Sequence, residues 1–233
     1  MHIPDGYLSP QTCAVMYAAA APFWYVAGSR VKKELTARAV PVLSLLAAFT
    51  FTIMMFNIPL PGGTSAHAVG SVLTAVVLGP WAAIIATSVA LVIQALLFGD
   101  GGITAIGANC FNMAVAMPLA GYLVYRLVST GAPISSRRQV WGSALGGYVG
   151  INLAALLTAL ELGVQPLLFV AADGTPLYSP FSIAQTLPAM MLGHLTLAGI
   201  AEAAVTGLAV AFLQRTNLPL LQLRSKEVTS WAS

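Results

Sequence analysis

The residues best suited to bind a ligand in this sequence are its three histidines, His2, His67 and His194. Methionine is normally retained before a large second residue, so we expect a free Met1 amine next to His2. The amine, the His2 amide nitrogen and its ring Nδ1 can close five- and six-membered chelate rings around one metal ion. A fourth nitrogen would complete a square-planar set, which favours Ni(II) or Cu(II).

His67 is the candidate for the fourth nitrogen. It ends segment 57–67, whose two prolines and two glycines predict an irregular loop that could fold inward. Asn57, Thr64 and Ser65 could orient a ring nitrogen from this loop. The plain alternatives are a solvated terminal histidine, an interfacial His67 and a loop that is only a structural turn.

Further polar residues lie in or beside apolar segments. Asn109 and Asn112 are three residues apart on one helical face, where they could support a metal site or bond between helices. His194 and Glu202 lie about two turns apart in one segment. They could form a relay, a metal exit step or the catalytic pair of a membrane metalloenzyme. An interhelical hydrogen bond explains them equally well.

The composition places these residues in a membrane. Of 233 residues, 58% are hydrophobic and 7% are charged, with a mean hydropathy of +0.85. Soluble domains carry about 25% charged residues, so a soluble enzyme and a nucleic-acid-binding protein are both excluded. Long apolar runs indicate helices rather than a barrel. We predict one all-α integral membrane domain over residues 1–233, with an external metal-binding segment at 1–9 and a cytoplasmic tail at 214–233.

Seven transmembrane helices are predicted, near 10–29, 39–57, 67–79, 81–98, 107–127, 140–162 and 183–213. The third is short, and Gly79–Pro80 separates it from the fourth. An outside N-terminus and a cytoplasmic C-terminus put all ten Lys and Arg on the cytoplasmic side, in agreement with the positive-inside rule. Six spans, with 67–98 counted as one, would split the basic clusters between both faces. Glycines at 142, 146 and 150 predict close helix packing.

Three ordered motifs carry a family resemblance: Met-His-Ile-Pro-Asp-Gly at 1–6, Gly-Thr-Ser-Ala-His at 63–67 and Ile-Gly-Ala-Asn-x-Phe-Asn-Met-Ala at 106–114. From residue 1 to about residue 210, the chain resembles the cobalt/nickel substrate-binding membrane component (S-component) of energy-coupling-factor (ECF) transporters. The resemblance implies a seven-helix, multi-pass protein of the prokaryotic inner membrane. Its N-terminus would build the site, with Met1, His2 and His67 as ligands of a Ni(II) or Co(II) substrate.

The resemblance also implies partners. These are a transmembrane coupling subunit, cytoplasmic ATPase subunits and a small membrane accessory subunit, in addition to membrane lipid. The sequence has no Walker A motif, so ATP hydrolysis is expected from the partners and not from this chain. The expected function is capture of Ni(II) or Co(II) at the outer face for import, without a catalytic cofactor. The alternatives are a membrane metalloenzyme that uses His194 and Glu202, and a stand-alone metal carrier.

Overall fold

The computed structural model describes residues 1–35, 37, 39–60, 64–216 and 218–222. The described helices are α1 Pro10–Glu34, α2 Val40–Met54, α3 Ser71–Leu78, α4 Pro80–Phe98, α5 Ile106–Ser129, α6 Arg137–Leu168, α7 Ile183–Thr216 and the short α8 Leu218–Gln222. Between α2 and α3, strands β1 Ile58–Leu60 and β2 Thr64–Ala66 form an antiparallel hairpin. The predicted tail from residue 223 onward lies outside the described residues.

Each predicted span overlaps one of the first seven helices. Among the described helices, α4, α5, α6 and α7 are long and apolar enough to cross a membrane. The apolar α2 has 15 residues. Helix α3 has eight, which gives a length of about 12 Å against a hydrocarbon core of about 30 Å. The fold is therefore a helical membrane domain, and seven crossings with an outside N-terminus stay a prediction.

Local sequence signals set several helix boundaries. At the start of α1, Ser9 Oγ accepts the Thr12 amide at 3.0 Å, and Pro10 occupies the first turn. Helix α7 begins with a capping box formed by Ser182 and Gln185. The predicted break between the third and fourth spans is confirmed, because α3 ends before Gly79 and α4 begins at Pro80.

Three of the long helices each contain a π-helical segment. The segments are Gln94–Phe98 in α4, Cys110–Ala116 in α5 and His194–Ala198 in α7. Each begins at a buried residue that carries a polar or sulfur-containing side chain. Widened turns of this kind are often found at functional sites.

The core of the domain surrounds α3. Residues 71–77 are all buried, and α3 contacts α2, α4, α5, α6, α7 and α8. The predicted glycine packing is confirmed as an intramolecular contact between α5 and α6. A Cβ on Gly150 would lie 2.7 Å from Met117 O, and a Cβ on Gly146 would collide with Gly121 O.

Candidate metal-binding site

The N-terminal segment 1–9 is inserted into one end of the helical bundle. Met1, Ile3 and Leu8 are at most 4% exposed. Ile3 and Leu8 pack in an apolar cluster with Ala105 and Ala108, around the start of α5. Burial of these side chains holds a chain terminus, which is usually mobile, in a defined position.

Hydrogen bonds fix the main chain of this segment. Asn109 accepts the Ile3 amide at 2.8 Å and donates to Ile3 O at 3.1 Å. The Asp5 carboxylate accepts the amides of Ile103 and Thr104 at 3.0 and 2.8 Å. The terminal segment is therefore clamped to loop 99–105 and to α5 on the C-terminal side of His2.

Met1, His2 and His67 meet at the end of this clamped segment. The Met1 amine donates to Ser65 O at 2.9 Å, which joins the terminus to β2. The rings of His2 and His67 stack with centroids 4.8 Å apart and an interplanar angle of 26°. The side chains of the two histidines are almost fully buried, at 5% and 1% exposed. The structure thus brings together the three residues that the sequence nominates as ligands.

Burial keeps the nitrogens at the terminus neutral. It lowers the pKa of the Met1 amine to about 5, against the opposing effect of the Asp100 carboxylate. Burial and the nearby amine lower the pKa of His2 to about 3. Both groups therefore hold an available lone pair at neutral pH, as a metal ligand must.

The ring nitrogens of His67 have different environments. Its Nδ1 lies 3.1 Å from Ala68 O, a contact that requires a proton on Nδ1. Its Nε2 is buried without a hydrogen-bond partner among the described residues. With the proton on Nδ1, the lone pair of Nε2 is available to bind a cation.

Asp100 also lies beside the site, although its position in the sequence did not mark it as a candidate. Its Oδ1 lies 3.5 Å from His2 Nδ1, the ring nitrogen that the predicted chelate uses. Gly101 adopts a left-handed φ of +88°, and a Cβ there would lie 3.1 Å from Asn109 Nδ2 and 3.4 Å from His2 Cδ2. In the sequence, the only indication of this role is the acidic Asp100 directly before Gly101 and Gly102 in a predicted outer loop.

The other nominated residues differ in their proximity to the histidines. Ser65 takes part through its main-chain oxygen, and Thr64 lies in β2 with its side chain outside the described residues. Asn57 is exposed, and its main-chain N–H donates to Met55 O. Asn112 donates to Thr158 and Glu161 of α6, so its described bonds link helices.

His194 and Glu202 are both fully buried and both bonded to main chain. His194 Nδ1 lies 2.7 Å from Met190 O, and its Nε2 has no described partner. Glu202 accepts the amides of Val69 and Gly70. No described hydrogen bond joins the two side chains.

The described residues contain no cluster of three or more His, Cys, Asp or Glu side chains at metal-binding distances. A metal at Met1 would instead combine main-chain nitrogens with imidazole, and nitrogen-only sets of this kind select late first-row divalent ions.

The family model described as the cobalt uptake substrate-specific transmembrane region matches residues 2–220. The chain belongs to this family. Among curated relatives, the fused nickel transport protein NikMN of Rhodobacter capsulatus is 58% identical over 96% of this chain. This chain spans 65% of the length of that relative, which is less than two thirds.

Two further matches cover their counterparts almost completely. A putative metal transport protein of Methanocaldococcus jannaschii is 44% identical, over 98% of both chains. The chain is 59% identical in sequence to a truncated transition metal transporter of known crystal structure, and the two structures superpose with a TM-score of 0.87. That match covers 91% of this chain and 98% of the other. The helical membrane fold is therefore shared with a solved transporter structure.

Proposed function

We propose that this chain captures Ni(II) or Co(II) as the substrate-binding membrane component of an ECF-type importer. The observation that carries the proposal is the buried stack of His2 on His67, with the Met1 amine held beside it by Ser65 O. The names of the relatives as nickel and metal transport proteins support the substrate class.

In this proposal, four nitrogens hold the ion. The Met1 amine, the deprotonated His2 amide and His2 Nδ1 form the two chelate rings, and His67 Nε2 closes the square. Loss of one amide proton leaves the bound Ni(II) centre with a net positive charge, which the Asp100 carboxylate next to His2 offsets.

The nitrogen set favours nickel over cobalt. Ni(II) accepts a square-planar field of four nitrogens, and it stands above Co(II) in the order of divalent affinities. Cu(II) stands higher still, so exclusion of copper in the cell depends on its availability. We therefore propose Ni(II) as the preferred substrate and Co(II) as the weaker one.

Transport itself requires partners. We propose that the site faces the outer side of the prokaryotic inner membrane, and that rearrangement driven by partner ATPases, a transmembrane coupling subunit and a small accessory subunit releases the ion inside. The chain itself supplies capture. A stand-alone carrier remains the rival, and uptake by vesicles that contain this chain alone would support it.

The first experiment measures Ni(II) binding by calorimetry for the purified chain with a native Met-His terminus and for the same chain with its Met1 amine acetylated. Acetylation removes the lone pair of the amine from the chelate and leaves both histidines in place. His194→Gln serves as a control, because it changes the remaining histidine and leaves the proposed ligands intact.

We expect acetylation to abolish high-affinity binding, while His194→Gln binds as the wild type does. Equal binding by the wild type and the acetylated chain would overturn the terminal chelate. A loss of binding in His194→Gln alone would transfer the metal site to the middle of α7.

A further inference from the structure

Glu202 is a fully buried carboxylate in the second half of α7. It lies in α7 with no solvent exposure, and the described residues provide it with no salt bridge. Burial of an ionisable side chain within a membrane segment is expensive and usually functional. The function of Glu202 must therefore be sought in the groups that contact its oxygens.

Those groups are the amides directly after His67. Val69 N donates to Glu202 Oε2 at 2.7 Å, and Gly70 N lies 3.0 and 3.1 Å from the two oxygens. Both oxygens accept from N–H donors, an arrangement that matches the ionised carboxylate. Thr206, one turn further along α7, lies 3.5 Å from Oε1.

The segment that Glu202 holds also sets the orientation of His67. Nδ1 of His67 bonds to Ala68 O, so the ring is oriented by the main chain of residues 67–70. Gly70 has a left-handed φ of +76°, and a Cβ there would lie 2.8 Å from the Phe49 ring. The segment therefore lies between Phe49 of α2 and Glu202 of α7.

We propose that Glu202 is a positioning residue of the metal site: it ties segment 67–70 to α7 and thereby fixes His67 Nε2 opposite the terminal chelate. This inference rests on the proposed function and names a residue that determines the fourth ligand. Displacement of α7 would draw His67 away from Met1 and His2, so the same bonds connect metal release to movement of this helix.

The test is Glu202→Gln in the full chain. The glutamine has nearly the same size, but it carries no negative charge and presents only one oxygen. The three charge-assisted contacts from Val69 N and Gly70 N are thus reduced to at most two neutral ones. Glu161→Gln is the matched control, because Glu161 is another carboxylate in a membrane helix, accepts from Asn112 at 2.9 Å and lies on α6.

Two readouts separate positioning from general stability. Calorimetry gives Ni(II) affinity, for which loss of a supporting partner typically costs 10- to 100-fold. Electron paramagnetic resonance with Cu(II) as the probe counts the coordinating nitrogens. We expect four in the wild type and in Glu161→Gln, and three in Glu202→Gln, where the chelate persists and His67 is lost. A purely structural defect in Glu202→Gln would lower the melting temperature but leave four coordinating nitrogens, which would contradict the positioning role.

If Glu202→Gln does not fold, Glu202→Asp decides, because its shorter carboxylate keeps the charge but cannot reach both amides. An affinity between those of the wild type and a His67→Gln variant supports the proposal. Wild-type affinity with four nitrogens in either Glu202 variant overturns it. Absence of the four-nitrogen signal from the wild type would instead overturn the proposed ligand set.

Discussion

Asn109 and Asn112 have the same side chain and lie one turn apart on α5, yet they serve different neighbours. Asn109 bonds both main-chain polar groups of Ile3, directly after His2. Asn112 donates to Thr158 and Glu161 on α6. Spacing alone nominated both residues for the metal site, because a helical face does not reveal which element packs against each position.

This difference predicts different effects of Asn109→Ala and Asn112→Ala. The Asn109 variant should lose about tenfold or more in Ni(II) affinity, since the Ile3 main chain is released beside the chelate. The Asn112 variant should lose roughly 1–3 kcal/mol of stability and keep its affinity, because the buried Thr158 hydroxyl and the half-buried Glu161 carboxylate on α6 both lose a donor. Calorimetry and thermal unfolding measure the two effects. Equal affinity losses would contradict the assignment.

Asp100 should assist capture through its charge. Asp100→Asn removes a negative charge 3.5 Å from His2 Nδ1, so Ni(II) affinity should fall severalfold, about 1 kcal/mol for a partly exposed pair. The loss should shrink as salt rises, because ions screen the interaction. Asp173→Asn, in the exposed loop before α7, is the matched control and should change nothing. A salt-independent loss would indicate a structural role for Asp100.

Metal binding should weaken in acid. The pKa of the Met1 amine is lowered to about 5 by burial, so the amine is neutral at pH 7 and binding there releases only the His2 amide proton. Below about pH 5 the amine also binds a proton, so affinity should fall with a steeper slope. Proton release, measured by calorimetry in buffers of different ionisation enthalpy, tests this. Binding unchanged from pH 7 to pH 5 would exclude amide deprotonation.

Among the elements, the contact between α5 and α6 depends on the absence of side chains. Gly146→Ala places a Cβ against Gly121 O, so we expect a loss of about 1–3 kcal/mol from overpacking. Gly28→Ala in α1 is the control, because nothing lies within 4 Å of its added Cβ. That variant should be neutral, or more stable by up to about 1 kcal/mol. Thermal unfolding in detergent compares them, and equal stabilities would contradict the packing argument.

Helix α3 shows where apolar patterning misplaces a boundary. The sequence predicts a third span from residue 67, whereas the helix begins at Ser71. Residues 67–70 stay non-helical because the amides of Val69 and Gly70 bond to Glu202, which is more than 130 positions away in the chain. A hydropathy pattern does not show that a carboxylate on another helix will take the amide hydrogen bonds that a helix would otherwise use.

Across the whole molecule, the loops separate into two groups. The Tyr7 carbonyl accepts the Ser179 amide and Ile3 O accepts the Gly102 amide, which joins the terminal segment to two loops at one end. Gln214, near the end of α7, donates to Ile134 O and to Ser136 O at 2.6 and 3.0 Å. The N-terminal segment thus lies with loops 99–105 and 169–182, and the end of α7 lies with loop 130–136. Seven predicted crossings would place these segments on the same two opposite sides.

Cysteine labelling tests the proposed orientation. The native Cys13 and Cys110 are buried, so they should react slowly with a membrane-impermeant maleimide. Asp173→Cys should be labelled on intact cells, because its loop is proposed to lie outside. Ser135→Cys, between α5 and α6, should react only after permeabilisation. Labelling of Ser135→Cys on intact cells would reverse the orientation.

The sequence by itself determined the membrane class, the seven helical segments, the glycine packing stripe and the candidate ligands Met1, His2 and His67. These depend on composition, local periodicity and the chelating geometry of a terminal Met-His, all of which are properties of neighbouring residues. Only the tertiary structure decided that His2 stacks on His67, that Asp100 lies beside them and that Glu202 holds segment 67–70. Those contacts join residues 65 to 133 positions apart, and the packing of helices, not the local chain, brings such residues together.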